Sequence, residues 1–329
     1  MKRPIAYFAG TGRGVPETVM RNDDFQRLGL DTSDEWIASR TGIRERRIAQ
    51  SGETTCGMAA AAARMAMQMA NVAAGELDAI VLSTATADRL LPSTAVDLQA
   101  ALGASRAAAF DIGAACSGFL YAATVAEGLI ATGVAETVLI AGAEKMSAII
   151  DWQDRATCVL FGDGAGAAIL KRTKQQRGIL SAYMRSDGAL ADLLFRPAGG
   201  ATIPFSEAVL HDRSHFVKMA GREVFKHAVR SMADATDRAL DGAKLTGADI
   251  DVMIPHQANM RIIEATAKHA NVPMEKVYVN VDRFGNTSSA SVAIALDEAV
   301  ACGRIVEGMH VLLVAFGAGF TWASMVVRF

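Results

Sequence analysis

Cysteine is scarce in this chain: Cys56, Cys116, Cys158 and Cys302 are the four among 329 residues. They are widely spread, with no CxxC pair and no histidine at metal-ligand spacing, so neither a disulfide framework nor a metal site is indicated and a reducing, cytoplasmic setting fits. Net charge is nearly absent as well, at −2, which removes any global case for nucleic-acid binding and leaves only a local basic patch to meet an acidic partner. Long apolar runs are missing. The N-terminal MKRPIAYFAGTGRG has too short an apolar stretch for a signal peptide, and the Ala/Met-rich run from Met58 to Ala70 is broken by Arg64 and Gln68, against a membrane span. Met65, Met67 and Met69 are expected to be helix core. No Pro/Gly/Ser-rich linker divides the chain.

What remains is 51% hydrophobic and 21% charged, the composition of a globular protein long enough for one large core or two fused units. Short β-rich runs (79–83, 138–141, 252–254, 277–281 and 311–315) alternate with Ala-rich helical stretches ending at Gly103, Gly133 and Gly303. That alternation reads as an α/β protein with largely buried strands. The chain also repeats itself. Leu77-Asp78-Ala79-Ile80 resembles Ile250-Asp251-Val252-Met253, and Val138 to Ala141 resembles Val311 to Val314, both at an offset of 173 (250 − 77 and 311 − 138). Two halves of matching layout are expected, 1–172 and 173–329.

Two glycine-rich segments suggest dinucleotide loops. In Gly10-Thr-Gly12-Arg-Gly14 the next required glycine is Val15, and in Gly162-Asp-Gly164-Ala-Gly166 it is Ala167, so both are read as tight turns instead.

Within the repeat, GAACSG (113–118) and GNTSSAS (285–291) fall at corresponding strand-to-helix junctions, where ligands of open α/β sheets bind. Phe119, Ala123, Ala126 and Ile130 at helical spacing put Cys116 at or near a first helical turn, where free N–H groups and the dipole favour a thiolate. A buried cysteine is more often a small core residue. His256, in PHQANMRI (255–262), also follows a strand, and Asn286 sits at the junction that mirrors Cys116. Three such junctions carrying Cys, His and Asn point away from the core reading.

From DTSDEWIASRTGIRERR through the cysteine turn, FGDGAGAAIL, MAGREVFKHAV, PHQANMRI and GNTSSAS to AFGAGFTW, nearly the whole chain resembles the thiolase-fold condensing enzymes, most closely the β-ketoacyl-acyl-carrier-protein synthase III family. The resemblance implies a thiolase-like α/β fold of two βαβαβαββ halves in five α-β-α-β-α layers, commonly a homodimer. It implies that Cys116 accepts the acyl group of an acyl-CoA, that backbone amides of Cys116 and Ala318 hold the oxyanion, and that His256 and Asn286 serve decarboxylation of malonyl-acyl-carrier protein. Coenzyme A thioester is then a substrate, and no cofactor is implied.

Further positions follow the same resemblance. Ser33 or Thr32 caps a short helix ending at Gly42 on which Trp36 and Arg40, four apart, share a face; with Arg155, Phe225 and Asn259 they correspond to the coenzyme A site. Arg222, Lys226 and Arg261 correspond to a basic rim for the carrier protein, and Leu91 to a gate of the acyl pocket at the dimer interface. Ala318 stands where many relatives have glycine, which costs stability if a positive φ is needed there. Competing readings are a synthase III relative of secondary metabolism with an unusual acyl-CoA or a small-molecule acceptor, and a non-catalytic coenzyme A-binding protein on the same fold. A thiolase would need a second cysteine in AFGAGF, which has none.

Overall fold

Apolar runs of strand length, bounded by turn residues, bury both faces between helices, and the Ala-rich stretches between them form the crossovers. The computed structural model describes residues 5–329; Met1 to Pro4, the start of the segment read against a signal peptide, lie outside the described residues. The first sheet and its helices comprise β1 (Ala6–Gly14), α1 (Thr55–Ala70), β2 (Ala79–Ser83), α2 (Thr94–Leu102), β3 (Ala108–Ile112), α3 (Gly118–Ala131), β4 (Thr137–Glu144) and β5 (Gly164–Arg172). The second set comprises β6 (Gly178–Ser186), α4 (Gly221–Ala243), β7 (Val252–Pro255), α5 (Met260–His269), α6 (Ala290–Ala301), β8 (His310–Gly317) and β9 (Thr321–Arg328).

The first sheet has the order β1-β5-β4-β2-β3, with β4, β2 and β3 parallel and β5 and β1 antiparallel to their neighbours. The second repeats it as β6-β9-β8-β7. The repeat extends to register: Ala79 pairs with Val138 in one sheet and Val252 with Val311 in the other. Helices α3 and α6, apolar on nearly every side, lie between the two sheets, while α1 with α2 and α4 with α5 cover the outer faces. Helix ends behave as glycine chemistry dictates, with Gly103 (φ 71), Gly133 (φ 77) and Gly303 (φ 73) in the left-handed region where their helices stop. Among the described residues no helix is long and apolar enough to cross a membrane.

Three expectations need correction. Gly10, Gly12 and Gly14 are not in a tight turn but within β1, and Gly164 and Gly166 within β5. They are glycine because helices press on the sheet: a Cβ at Gly12 would lie 2.2 Å from the Ala62 carbonyl oxygen on α1, and one at Gly166 2.4 Å from Ala293 Cβ on α6. The facing surface of α1 is alanine, with Ala59, Ala62, Ala63 and Ala66 fully buried. Met65 and Met69, expected in the core, lie instead at the edge of this contact, where Met69 Sδ accepts from the Thr11 N–H at 3.3 Å, and are 43% and 49% exposed. Gly12→Val therefore forces backbone apart, and its expected cost is about 3 kcal/mol, read as a fall of several degrees in Tm.

The run from Val277 to Val281 is not a strand. One parallel bridge, Met253 to Val277, marks where the edge strand mirroring β3 would lie. The amides of Asn280 and Val281 are instead taken by the buried Gln257 side chain, whose Oε1 accepts at 2.9 and 3.1 Å. With those donors occupied by a side chain, the ladder cannot extend.

Candidate active site

At both strand-to-helix junctions the chain makes the same unusual turn. Ala115 (φ 45) and Ser288 (φ 50), residues related by the repeat, both occupy the left-handed region, a conformation that costs about 1–3 kcal/mol for a non-glycine residue and needs the surroundings to impose it. At Ala115 the β8–β9 hairpin does so: Thr321 Oγ1 donates to the Ala114 carbonyl at 2.8 Å, and Ser117 Oγ donates to the Thr321 carbonyl at 3.0 Å. Gly317, ending β8, approaches so closely that a Cβ there would lie 2.6 Å from the Cys116 nitrogen. At Ser288 the Asn286 Oδ1 accepts the Ser288 N–H at 2.8 Å.

These two turns and the end of β7 deliver Cys116, Asn286 and His256 to one cavity, which Phe225, Asn259 and Gly317 also line. All three side chains are buried. His256 is held by its backbone N–H on the Val314 carbonyl at 2.7 Å, and its Nδ1 lies 2.6 Å from Ser291 Oγ on α6. Asn286 is fixed by main-chain bonds to Leu160 and Gly162, and its Oδ1 is already used, which leaves the amide N–H groups for the cavity. Burial draws the His256 pKa down to about 3, so the imidazole is neutral in the resting protein.

Cys116 departs from the expected thiolate. It precedes α3 in a short 3₁₀ turn, yet burial, opposed by a hydrogen bond to Ser288 and reinforced by the Glu144 carboxylate, pushes its thiol up to about 12. Desolvation outweighs the helix end here. The thiol instead donates to Ser288 Oγ at 3.4 Å. A second, largely apolar cavity opens on the other side of Cys116, lined among others by Met146, Ile149, Val217, Ser288 and Ala318. Ala318 lies outside the left-handed region, and Gly319 (φ 133) takes the positive φ instead, so alanine at 318 is unstrained.

The remaining expected residues fall into three groups. On the helix Asp34–Thr41, capped by Ser33 Oγ, the Arg40 guanidinium carbon lies 4.4 Å from the Trp36 ring centre, and that of Arg155 lies 4.6 Å from it. A planar ring that took the place of either guanidinium would stack on Trp36. Asn259 ties this helix to the first cavity by donating from Nδ2 to the Arg40 carbonyl at 3.1 Å. Arg222, Lys226 and Arg261 are exposed on α4 and α5, the helices whose Phe225 and Asn259 line the first cavity. Leu91 is 85% exposed and lines neither cavity of its own chain. Ser288, Ser291 and Glu144 were missed by sequence reasoning. The available signal was a lone acid ending the otherwise apolar β4, and a serine run beside Asn286 of which only the asparagine was weighed.

Two sheets of one topology, with strand ends from both halves turned into a single cavity, make this a thiolase-like α/β fold, the class of the thiolase-fold condensing enzymes. Residues 110–188 match the family model 3-oxoacyl-[acyl-carrier-protein] synthase III, and residues 240–329 match that of its C-terminal part. The chain is 51% identical over 328 residues to the β-ketoacyl-[acyl-carrier-protein] synthase III of Xanthomonas campestris pv. campestris, covering 100% of this chain and 99% of the relative. The crystal structure of 3-oxoacyl-[acyl-carrier-protein] synthase III from Aquifex aeolicus superposes with a TM-score of 0.92 at 45% identity, over 98% of this chain and 100% of that one. The priming β-ketosynthase of the R1128 polyketide pathway gives 0.91 at 36% identity, over 99% and 96%. This chain belongs to the β-ketoacyl-acyl-carrier-protein synthase III family, and is an acyltransferase.

Proposed function

We propose that this enzyme condenses an acyl-CoA primer, acetyl or another short acyl group, with malonyl-acyl-carrier protein to give β-ketoacyl-acyl-carrier protein, CO2 and coenzyme A, the step that initiates fatty acid synthesis. The observation that carries the residue assignment is the single cavity shared by Cys116, His256 and Asn286. Cys116 Sγ attacks the thioester carbonyl, and the amides of Cys116 and Ala318 hold the oxyanion while coenzyme A leaves. The acyl chain then lies in the apolar cavity beyond Cys116.

Loss of CO2 from the malonyl group leaves an enolate oxygen that needs donors without a strong charge. His256 Nδ1 is paired with Ser291 Oγ at 2.6 Å, and in the tautomer this reading assigns, with the hydroxyl donating, the neutral ring presents Nε2–H, while Asn286 presents Nδ2–H beside it. The enolate carbon attacks the acyl-cysteine carbonyl, the Cα–C bond forms, the bond from that carbonyl to Cys116 Sγ breaks, and the released thiolate takes a proton from solvent.

Trp36, Arg40, Arg155, Phe225 and Asn259 hold coenzyme A under this reading, and Arg222, Lys226 and Arg261 meet the acidic carrier protein. The chain works as two halves, 1–172 bearing the nucleophile and 173–329 bearing the decarboxylation pair. It acts as a cytoplasmic homodimer, an assembly that would cover Leu90 and Leu91, each 85% exposed in the single chain. A coenzyme A-release assay with acetyl-CoA and with longer acyl-CoAs, each with malonyl-carrier protein, tests the assignment. The expected result is the highest kcat/KM with short primers and a β-ketoacyl-carrier product by mass. Turnover confined to an unusual acyl-CoA or a small-molecule acceptor would move the enzyme to secondary metabolism, and absence of any covalent adduct would make it a coenzyme A-binding protein.

A further inference from the structure

Glu144, the last residue of β4, is completely buried, with no cation against it among the described residues. Its Oε1 accepts from Ser288 Oγ at 3.0 Å and from Ser289 Oγ at 2.8 Å; its Oε2 accepts from the Ala85 N–H at 3.0 Å and from the hydroxyls of Thr86 and Thr84 at 2.8 and 3.4 Å. Lys145 beside it is turned away, its Nζ donating to the carbonyls of Gln50 and Glu53. Five donors and no counter-ion are an expensive arrangement for a structural carboxylate, since an apolar side chain there would need none of them. One of those donors, Ser288, is also the hydroxyl that accepts the Cys116 thiol proton at 3.4 Å. The hydrogen bonds therefore run in one direction, from Cys116 Sγ to Ser288 Oγ to Glu144 Oε1. Ser288 is held for this by its left-handed backbone, which turns the side chain between sulfur and carboxylate.

The geometry points to Ser288 and Glu144 as a proton relay that activates Cys116 for acyl transfer, a role that rests on the acyl-CoA reading above. As Sγ bonds to the thioester carbonyl carbon, the thiol proton passes to Ser288 Oγ and the Ser288 proton to Glu144 Oε1. When the tetrahedral adduct expels coenzyme A, the bond from carbon to the coenzyme sulfur breaks, and the same path returns the proton to that sulfur. Glu144 is again a carboxylate, Cys116 carries the acyl group, and no other reactant is consumed. The relay explains how a thiol whose desolvation opposes ionisation reacts without forming a free thiolate first. Burial raises the Glu144 pKa above the ordinary carboxylate range, which brings it closer to that of the thiol it serves. The titratable groups that face this path are Cys116 itself and, across the first cavity, neutral His256.

The test is the pH dependence of Cys116 alkylation by iodoacetamide and of its acylation by acetyl-CoA, both followed by intact mass in the full-length protein. Wild type should react at a rate that changes less than about threefold between pH 6 and 9, because the thiol proton leaves through Ser288 instead of to solvent. Ser288→Gly keeps a backbone compatible with φ 50 but removes the hydroxyl, and Glu144→Gln removes the acceptor. Each should slow both reactions about 100-fold at pH 7 and make them climb about tenfold per pH unit, as a thiol needing prior ionisation does. Ser289→Ala, which removes a donor to the same oxygen without touching the path, should keep the flat profile. A wild-type rate that climbs as steeply as the variants, or Ser288→Gly with unchanged rates, overturns the relay. If Glu144→Gln does not fold, Ser288→Gly decides alone. Flat alkylation without acetyl uptake would sink the acyl-CoA reading and leave the relay standing.

Discussion

Cys116→Ala abolishes the covalent acyl adduct, and overall condensation falls on the order of 10⁴-fold or more, as removal of a nucleophile does. The loss is specific to this cysteine because of where the fold puts it. Cys158 is fully buried and does not line either cavity beside Cys116, while Cys56 and Cys302 lie away from the site. Intact mass after incubation with acetyl-CoA reads the result, and an adduct that survives the substitution would remove Cys116 from the mechanism. Alanine is the clean replacement: it fits the short turn before α3 and leaves the Cys116 amide near Gly317 in place. Any residual decarboxylation of malonyl-carrier protein would then report the second half-site by itself.

His256→Ala has the complementary outcome: Cys116 is still acylated, while malonyl decarboxylation falls about 10²- to 10³-fold, the usual effect of losing one donor to a developing oxyanion. Asn286→Ala should give a loss of the same order. The histidine arm carries a pH signature. In the unfolded chain the imidazole takes a proton near its ordinary value of 6.5, whereas burial delays protonation in the folded protein to about 3. Decarboxylation should therefore show no inflection near 6.5, and a bell with an acid limb there would mean that the imidazole is not the neutral donor assigned here. Linkage fixes the sign for stability. Between about 3 and 6.5 the unfolded state binds more protons, so this residue makes stability rise with pH across that window and hold level above it. His256→Ala should flatten that part of a Tm-against-pH curve. Loss of acylation as well, with the fold intact, would show that His256 also serves the thiol.

Much of the architecture was legible because it is local. Strand length, alanine-rich helices and glycine stops all follow from short-range propensity, and the offset of 173 reappears as identical strand pairing in the two sheets. What the pattern misjudged depends on partners distant in sequence. GTGRG has the composition of a turn, and only the approach of α1 explains why those positions in β1 are glycine. The edge run 277–281 has strand composition, but Gln257 occupies its amides.

The candidate site divides in the same way. The sequence by itself determined that a cysteine, a histidine and an asparagine stand at strand-to-helix junctions, because periodicity and glycine mark those junctions along the chain. Only the tertiary structure decided that all three share one cavity, that Ser291 orients His256, and that Glu144 reaches Cys116 through Ser288. It also reversed the expected state of the thiol. A helix end is a local cue visible in sequence, whereas desolvation is set by everything packed around the sulfur.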